Sequence, residues 1–200
     1  MSIIQDGAGK GYSAKVDSSQ RLHVDSVTFG RSEIEVELGN GYNINTGVLN
    51  LTTAGKSAVL YFKNNEVDPI VITNLFYLIG NSTGGSGDVL ITVLRNPTTG
   101  TIVSDATNAE MAGVNRNFGS SQTLSANIYK GGEGKTFTNG DKIIETILNQ
   151  SPRREILSVG DIVLPQGTSI GFDITPAAGN TSLDVEFAMS VFLDTLAEEN

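Results

Sequence analysis

Two hundred residues, 18% of them charged and with a net charge of −9, describe one generous domain that can bury a core without cross-links. The acidic balance lacks the basic surface needed to neutralise phosphates, so no nucleic-acid partner is expected. With no cysteine in the chain, disulfides, thiolate metal sites and a cysteine nucleophile are all excluded, which fits folding in a reducing cytoplasm.

The chain opens MSIIQDGAGKG, with neither a basic start nor an apolar run, so no secretory signal is expected. Residues 1–30 are polar and glycine-rich and read as an extended N-terminal arm, in which only "RLHV" offers a short alternating strand. Residues 31–200 read as the folded domain. There "EIEVEL" alternates Glu33, Glu35 and Glu37 against Ile34, Val36 and Leu38, which predicts a strand with a charged, solvent-facing side. "SAVLYFK" (57–63), "IVITNLFYLIG" (70–80) and "DVLITVLR" (88–95) are β-branched and aromatic runs bounded by turn residues, and each predicts a strand. The second is apolar on both faces, which predicts a central position with cover on each side.

Residues 97–140 have few apolar anchors and read as a long loop insertion. Within 140–155, Ile143, Ile144, Ile147 and Leu148 share a helical face and predict a short helix, and Arg153–Arg154 read as a solvated turn. From "REILSV" onward, "PQGT" and "PAAGNT" punctuate two or three more strands. The last, "SLDVEFAMSVFLD", places Leu183, Val185, Phe187, Met189, Val191 and Leu193 on one face and Asp184, Glu186, Ser190 and Asp194 on the other. At about 3.3 Å per residue it spans roughly 35 Å. Many short strands at regular spacing, in a chain rich in Gly and Asn, predict an all-β antiparallel sandwich that is jelly-roll-like. No apolar run reaches the ~20 residues of a membrane helix, so no membrane partner is expected.

The chemical motifs fail on composition and order. "GAGKG" lacks the Walker spacing, while "GKS" (55–57) and "GKT" (134–136) have Asn50 and Tyr129 where the first glycine belongs. His23 is the single histidine, so zinc sites built on two or three histidines cannot form. It has no GxSxG elbow to serve, and it reads as a solvated or interface residue. The Glu33–Glu35–Glu37 row reads as a charged edge, and Asp161, Asp173 and Asp184 as dispersed strand or turn residues. Tyr12, Tyr42 and Tyr129 keep a sugar-stacking platform in view, although the chain has no tryptophan. No catalytic residue, cofactor or metal is assigned, and the chain is not expected to be an enzyme. A hydrolase built on an unrecognised carboxylate pair is the rival, and it requires two acids facing each other about 5–9.5 Å apart.

The opening "DGAGKGYSAKVDSSQRLHV" resembles the N-terminal segment of many tailed-bacteriophage virion proteins, through Asp6, Gly7, Gly9, Gly11, Ala14, Lys15, Val16, Arg21, Leu22 and Val24. "VNRNFGSSQTLSANIYKGGEGKTFTNG" is similar to the same class, and "LPQGTSIGFDITPAAGNTSLDVEFAMSVFL" resembles the last strands of jelly-roll virion modules. The resemblance implies a particle component on the outer capsid surface, made in the host cytoplasm. It would be a capsid decoration protein, with a head-fibre, tail or carbohydrate-binding receptor module as the alternative. The implied partners are the major capsid protein and further copies of the chain, with a trimer suited to sites between capsid hexamers. An arm of about 30 residues, if fully extended, would reach up to ~100 Å, enough to cross a subunit boundary. Asp6, Gly7, Gly9, Gly11, Lys15, Arg21, Leu22, His23 and Val24 are its expected contact residues, with Leu22 and Val24 as buried anchors.

Overall fold

The computed structural model describes residues 30–85, 87–104, 109–149, 153–157 and 162–195. The chain divides after Gly30 into two units, Met1–Gly30 and Arg31–Asn200. The arm residues named above, from Asp6 to Val24, lie outside the described residues, as do Tyr12 and Asp161.

The described residues form two antiparallel sheets. The first contains β1 (Gly41–Asn45), β2 (Leu49–Leu51), β4 (Ile70–Gly84), β7 (Val114–Asn115), β10 (Arg153–Leu157), β11 (Ile162–Leu164) and β13 (Asn180–Leu193). Its order is β10–β4–β13–β1–β7, with β11 continuing the β10 edge along β4 and β2 continuing the β1 edge along β13. The second sheet runs β6 (Ala109–Glu110), β8 (Ala126–Lys130), β3 (Ser57–Asn64), β12 (Ser169–Thr175), β5 (Asp88–Arg95), β9 (Asp141–Asn149). Along the chain β1, β3, β4 and β5 alternate between the two layers, β9 stays beside β5, and β10–β11, β12 and β13 alternate again, so that β1 and β13 lie side by side. This is a jelly-roll-like β-sandwich.

Strand alternation builds the core. Leu183, Val185, Phe187, Met189, Val191 and Leu193 of β13 are all buried, against Phe172 and Ile174 of β12 and Ile91 and Val93 of β5. β4 turns inward at Ile70 and Ile72 and then at Leu75, Tyr77 and Ile79, a change of phase. The register against β13 slips between Ser190 and Val191, so Thr73 is the extra residue of a bulge and donates its hydroxyl to the Ser190 carbonyl at 3.2 Å. The bulge explains why this segment reads as apolar on both faces.

Four expectations are corrected. "EIEVEL" belongs to a helix, α1 (Arg31–Glu37), and not to a strand. Its stop signal is Gly39, at φ +85°: Gly39 N–H reaches the Val36 carbonyl at 3.0 Å and Asn40 N–H the Glu35 carbonyl at 2.7 Å, the paired bonds of a glycine-capped helix end. The three glutamates therefore do not share a face. Glu33 and Glu37 are exposed, whereas Glu35 is fully buried.

Residues 141–149 form a strand rather than a helix. Pairing with β5 turns Ile144 and Leu148 towards the core and leaves Ile143 and Ile147 outside, because β-branched isoleucines fit a pleated edge well. Arg153 and Arg154 likewise lie in β10, with their backbone opposite Ile79 and Leu78, and not in a turn.

The 97–140 segment is not a bare loop. It carries α2 (Thr101–Ser104), β6, β7 and β8: β8 and β6 extend the edge of the second sheet, β7 extends that of the first, and α2 packs against β3. Ile102 packs with Ala58 and Tyr61 in a second small core, flanked by Val103, Tyr129 and Phe137. Tyr61 and Tyr129 stack at 5.8 Å with their planes 8° apart. At Gly171 an added Cβ would stand 2.6 Å from the Phe137 ring, so only glycine admits that ring so close to the sheet.

Candidate functional site

The outer face of the first sheet bears a groove of about 440 Å³, built by three adjacent strands. Strand register arranges its side chains in rows. Asn43 of β1 lies opposite Ser190 of β13, which lies opposite Asn74 of β4. In the next row Asn45 faces Ala188, which faces Phe76, and beyond it Glu186 faces Leu78. Neighbouring strands are about 4.8 Å apart, so one small residue flanked by larger ones leaves a depression. Ala188 is that residue.

The polar groups of this face hold one another in place. Ser190 Oγ donates to Asn43 Oδ1 at 2.8 Å, which turns the Asn43 amide NH₂ away from Ser190. Asn45 accepts the Gly47 N–H on Oδ1 at 2.6 Å and donates through Nδ2 to Glu186 Oε1 at 2.7 Å. The Asn43 NH₂, the second Nδ2 hydrogen of Asn45 and the Glu186 Oε2 are thereby left for an outside partner. The lining contains no lysine or arginine.

A second feature is an apolar knob at the β7 edge. Phe118 is 99% exposed, and Leu38 at the end of α1 and Val114 of β7 are also exposed. The turn that carries Phe118 is wired by asparagine side chains: Asn117 Oδ1 accepts the Gly119 N–H at 3.0 Å and Asn115 Oδ1 the Asn117 N–H at 2.8 Å. Asn117 Nδ2 donates to the Glu37 carbonyl at 2.9 Å and Asn115 Nδ2 to that of Gly39 at 2.7 Å, tying the turn to the end of α1. A large aromatic side chain on so firmly braced a turn is presented to a partner at little entropic cost.

A third is the ion pair of Lys56 Nζ with Asp173 Oδ2 at 2.5 Å. Asp173 is buried on β12, whereas Lys56 is half-exposed. Burial pushes the Asp173 carboxyl above its ordinary value, and Lys56 opposes the shift through its hydrogen bond and charge. Folding therefore makes the Asp173 carboxyl harder to ionise than it is in the unfolded chain. Its contribution to stability is full below the ordinary carboxylate pKa and is lost as pH rises through the raised folded value. Urea denaturation across the acid-to-neutral range should show wild type losing stability relative to Asp173→Asn as pH rises. A pH-independent difference between the two proteins would refute this.

Of the other sequence candidates, Tyr42 is buried in the core and Tyr129 is stacked on Tyr61, so neither belongs to a loop platform. Asp173 and Asp184 are apart, on β12 and β13 of different sheets, and among the described residues no three acid, histidine or cysteine side chains gather as a metal cluster. No described helix is long and apolar enough to cross a membrane. The groove escaped sequence reasoning because Asn45 and Glu186 are 141 residues apart. Its one legible sign was Glu186 on the outward face of the last strand. Compared with family models and with curated proteins, the chain has no match.

Proposed function

We propose that this chain is a non-enzymatic structural component of a bacteriophage particle, a capsid decoration protein that binds the outer surface of the major capsid lattice and reinforces it. The observation that carries this reading is the fully exposed Phe118 on a turn braced by Asn115 and Asn117, on a sandwich of acidic net charge. Aromatic anchors of this kind dominate the energy of protein interfaces. The opening segment's resemblance to phage virion proteins supports the same reading and makes residues 1–30 a second point of attachment, through Leu22 and Val24. Repetition over a symmetric shell turns modest contacts into stable attachment by avidity, and a homotrimer suits the sites between capsid hexamers.

Co-sedimentation with capsids is the test. Phe118→Ala should fold normally and weaken capsid binding by at least about tenfold, which is about 1.4 kcal/mol. Deleting residues 1–25 should leave the sandwich folded and abolish association. Unchanged co-sedimentation of both variants would refute the docking role. The solution mass of the purified chain checks the trimer, which a monomer would contradict.

A further inference from the structure

We infer that the groove over Ala188 is a binding site for a neutral saccharide, a role separate from attachment to the capsid. The lining decides the class of ligand. Asn43 and Asn45 present amide hydrogens and Glu186 presents a free carboxylate oxygen, while Phe76 and Ala188 provide an apolar floor between them. Donor and acceptor side by side match a pair of neighbouring hydroxyls, and the apolar floor matches the C–H face of a sugar ring. A volume of about 440 Å³ lies within the usual range for small-molecule sites.

Rival occupants fit less well. An anion would meet Glu186 with no lysine or arginine in the lining to compensate. A peptide adding itself as a strand needs unpaired backbone groups, and β1, β13 and β4 spend theirs on one another beneath the groove. A lipid chain would bury the amides and the carboxylate without partners. The polar groups are also held before any ligand arrives, since Ser190 orients Asn43, and Gly47 and Glu186 orient Asn45. Preorganisation of this kind lowers the entropic cost of binding.

The test uses the purified full chain and saturation-transfer NMR with methyl glycosides of glucose, galactose, mannose, rhamnose and N-acetylglucosamine, their disaccharides, and sialyllactose as the anionic probe. The expected result is binding of at least one neutral sugar in the millimolar range or tighter, with sialyllactose weaker. Ala188→Leu should fill the depression and reduce that binding at least about tenfold. Should Ala188→Leu fail to fold, Asn43→Ala combined with Glu186→Gln alters the same site through surface atoms, and the same loss is expected. No transfer to any neutral sugar overturns the inference. So does binding that survives the folded variants, or a preference for sialyllactose. Because no capsid is present, such a failure leaves the particle role standing.

Discussion

Replacing Glu35 with alanine is expected to destabilise the folded domain by about 3 kcal/mol, a larger effect than any exposed charge in α1 can produce. Glu35 is fully buried and accepts from Asn40 Nδ2 at 2.8 Å, from Thr195 N–H at 3.0 Å and from Thr195 Oγ at 3.0 Å. Those bonds join the end of α1 to the residues that follow β13. Arg31 adds an ion pair to Asp194 on the same junction. Alanine removes the acceptor and strands three donors, and an unsatisfied buried donor costs more than the bond itself contributed. Thermal unfolding should show a fall of roughly 6–12 °C for a domain of this size. Glu33→Ala, in the same helix but exposed, is the control and should change little. Equal effects from the two variants would show that Glu35 is not the tie.

Gly131→Ala is the second large effect, at about 3 kcal/mol, because the added methyl has nowhere to go. Its Cβ would stand 2.0 Å from the Ala58 carbonyl oxygen and 2.7 Å from Ile102 Cδ1. The carbonyl belongs to β3 and already accepts the Gly132 N–H at 2.9 Å, while the Gly131 N–H bonds the Val59 carbonyl at 3.0 Å. The backbone must therefore part at the place where the 97–140 segment leaves β8. The small core of Ala58, Tyr61 and Ile102 opens with it. The chain has no tryptophan, so its near-ultraviolet circular dichroism reports tyrosine and phenylalanine packing. The variant should lose signal there as the Tyr61–Tyr129 stack loosens, together with its lowered urea midpoint. Gly119→Ala, whose nearest neighbour would be 3.5 Å away, should behave as wild type. A folded, equally stable Gly131→Ala would mean the segment does not grip the sheet there.

The sandwich was legible wherever one face of a strand is buried. From Leu183 to Met189 the buried face follows the alternation, and past Met189 both faces are buried, Ser190 and Phe192 included. Legibility failed where another force outweighs periodicity. In "EIEVEL" the period of two was coincidental; the decisive signal was Gly39, which ends a helix by adopting a backbone shape other residues resist. In 141–149, four aliphatic residues suit a helix or a strand equally, and tertiary pairing with β5 settles the matter. Strands as short as Ala109–Glu110 and Val114–Asn115 cannot establish a period at all. The groove was illegible for a different reason. It depends on register between β1, β4 and β13, and the smallness of Ala188 matters only once Asn45 and Phe76 are known to flank it.

The docking role proposed above is tested most directly by imaging intact phage particles assembled in cells that express this chain and asking whether it is in them. The expected result is ordered density for the sandwich on the outer capsid surface, repeated at symmetry-related sites, with Phe118 turned towards a capsid subunit or a neighbouring copy. Particles that lack the chain, or that hold it with Phe118 facing open solvent, would contradict the account.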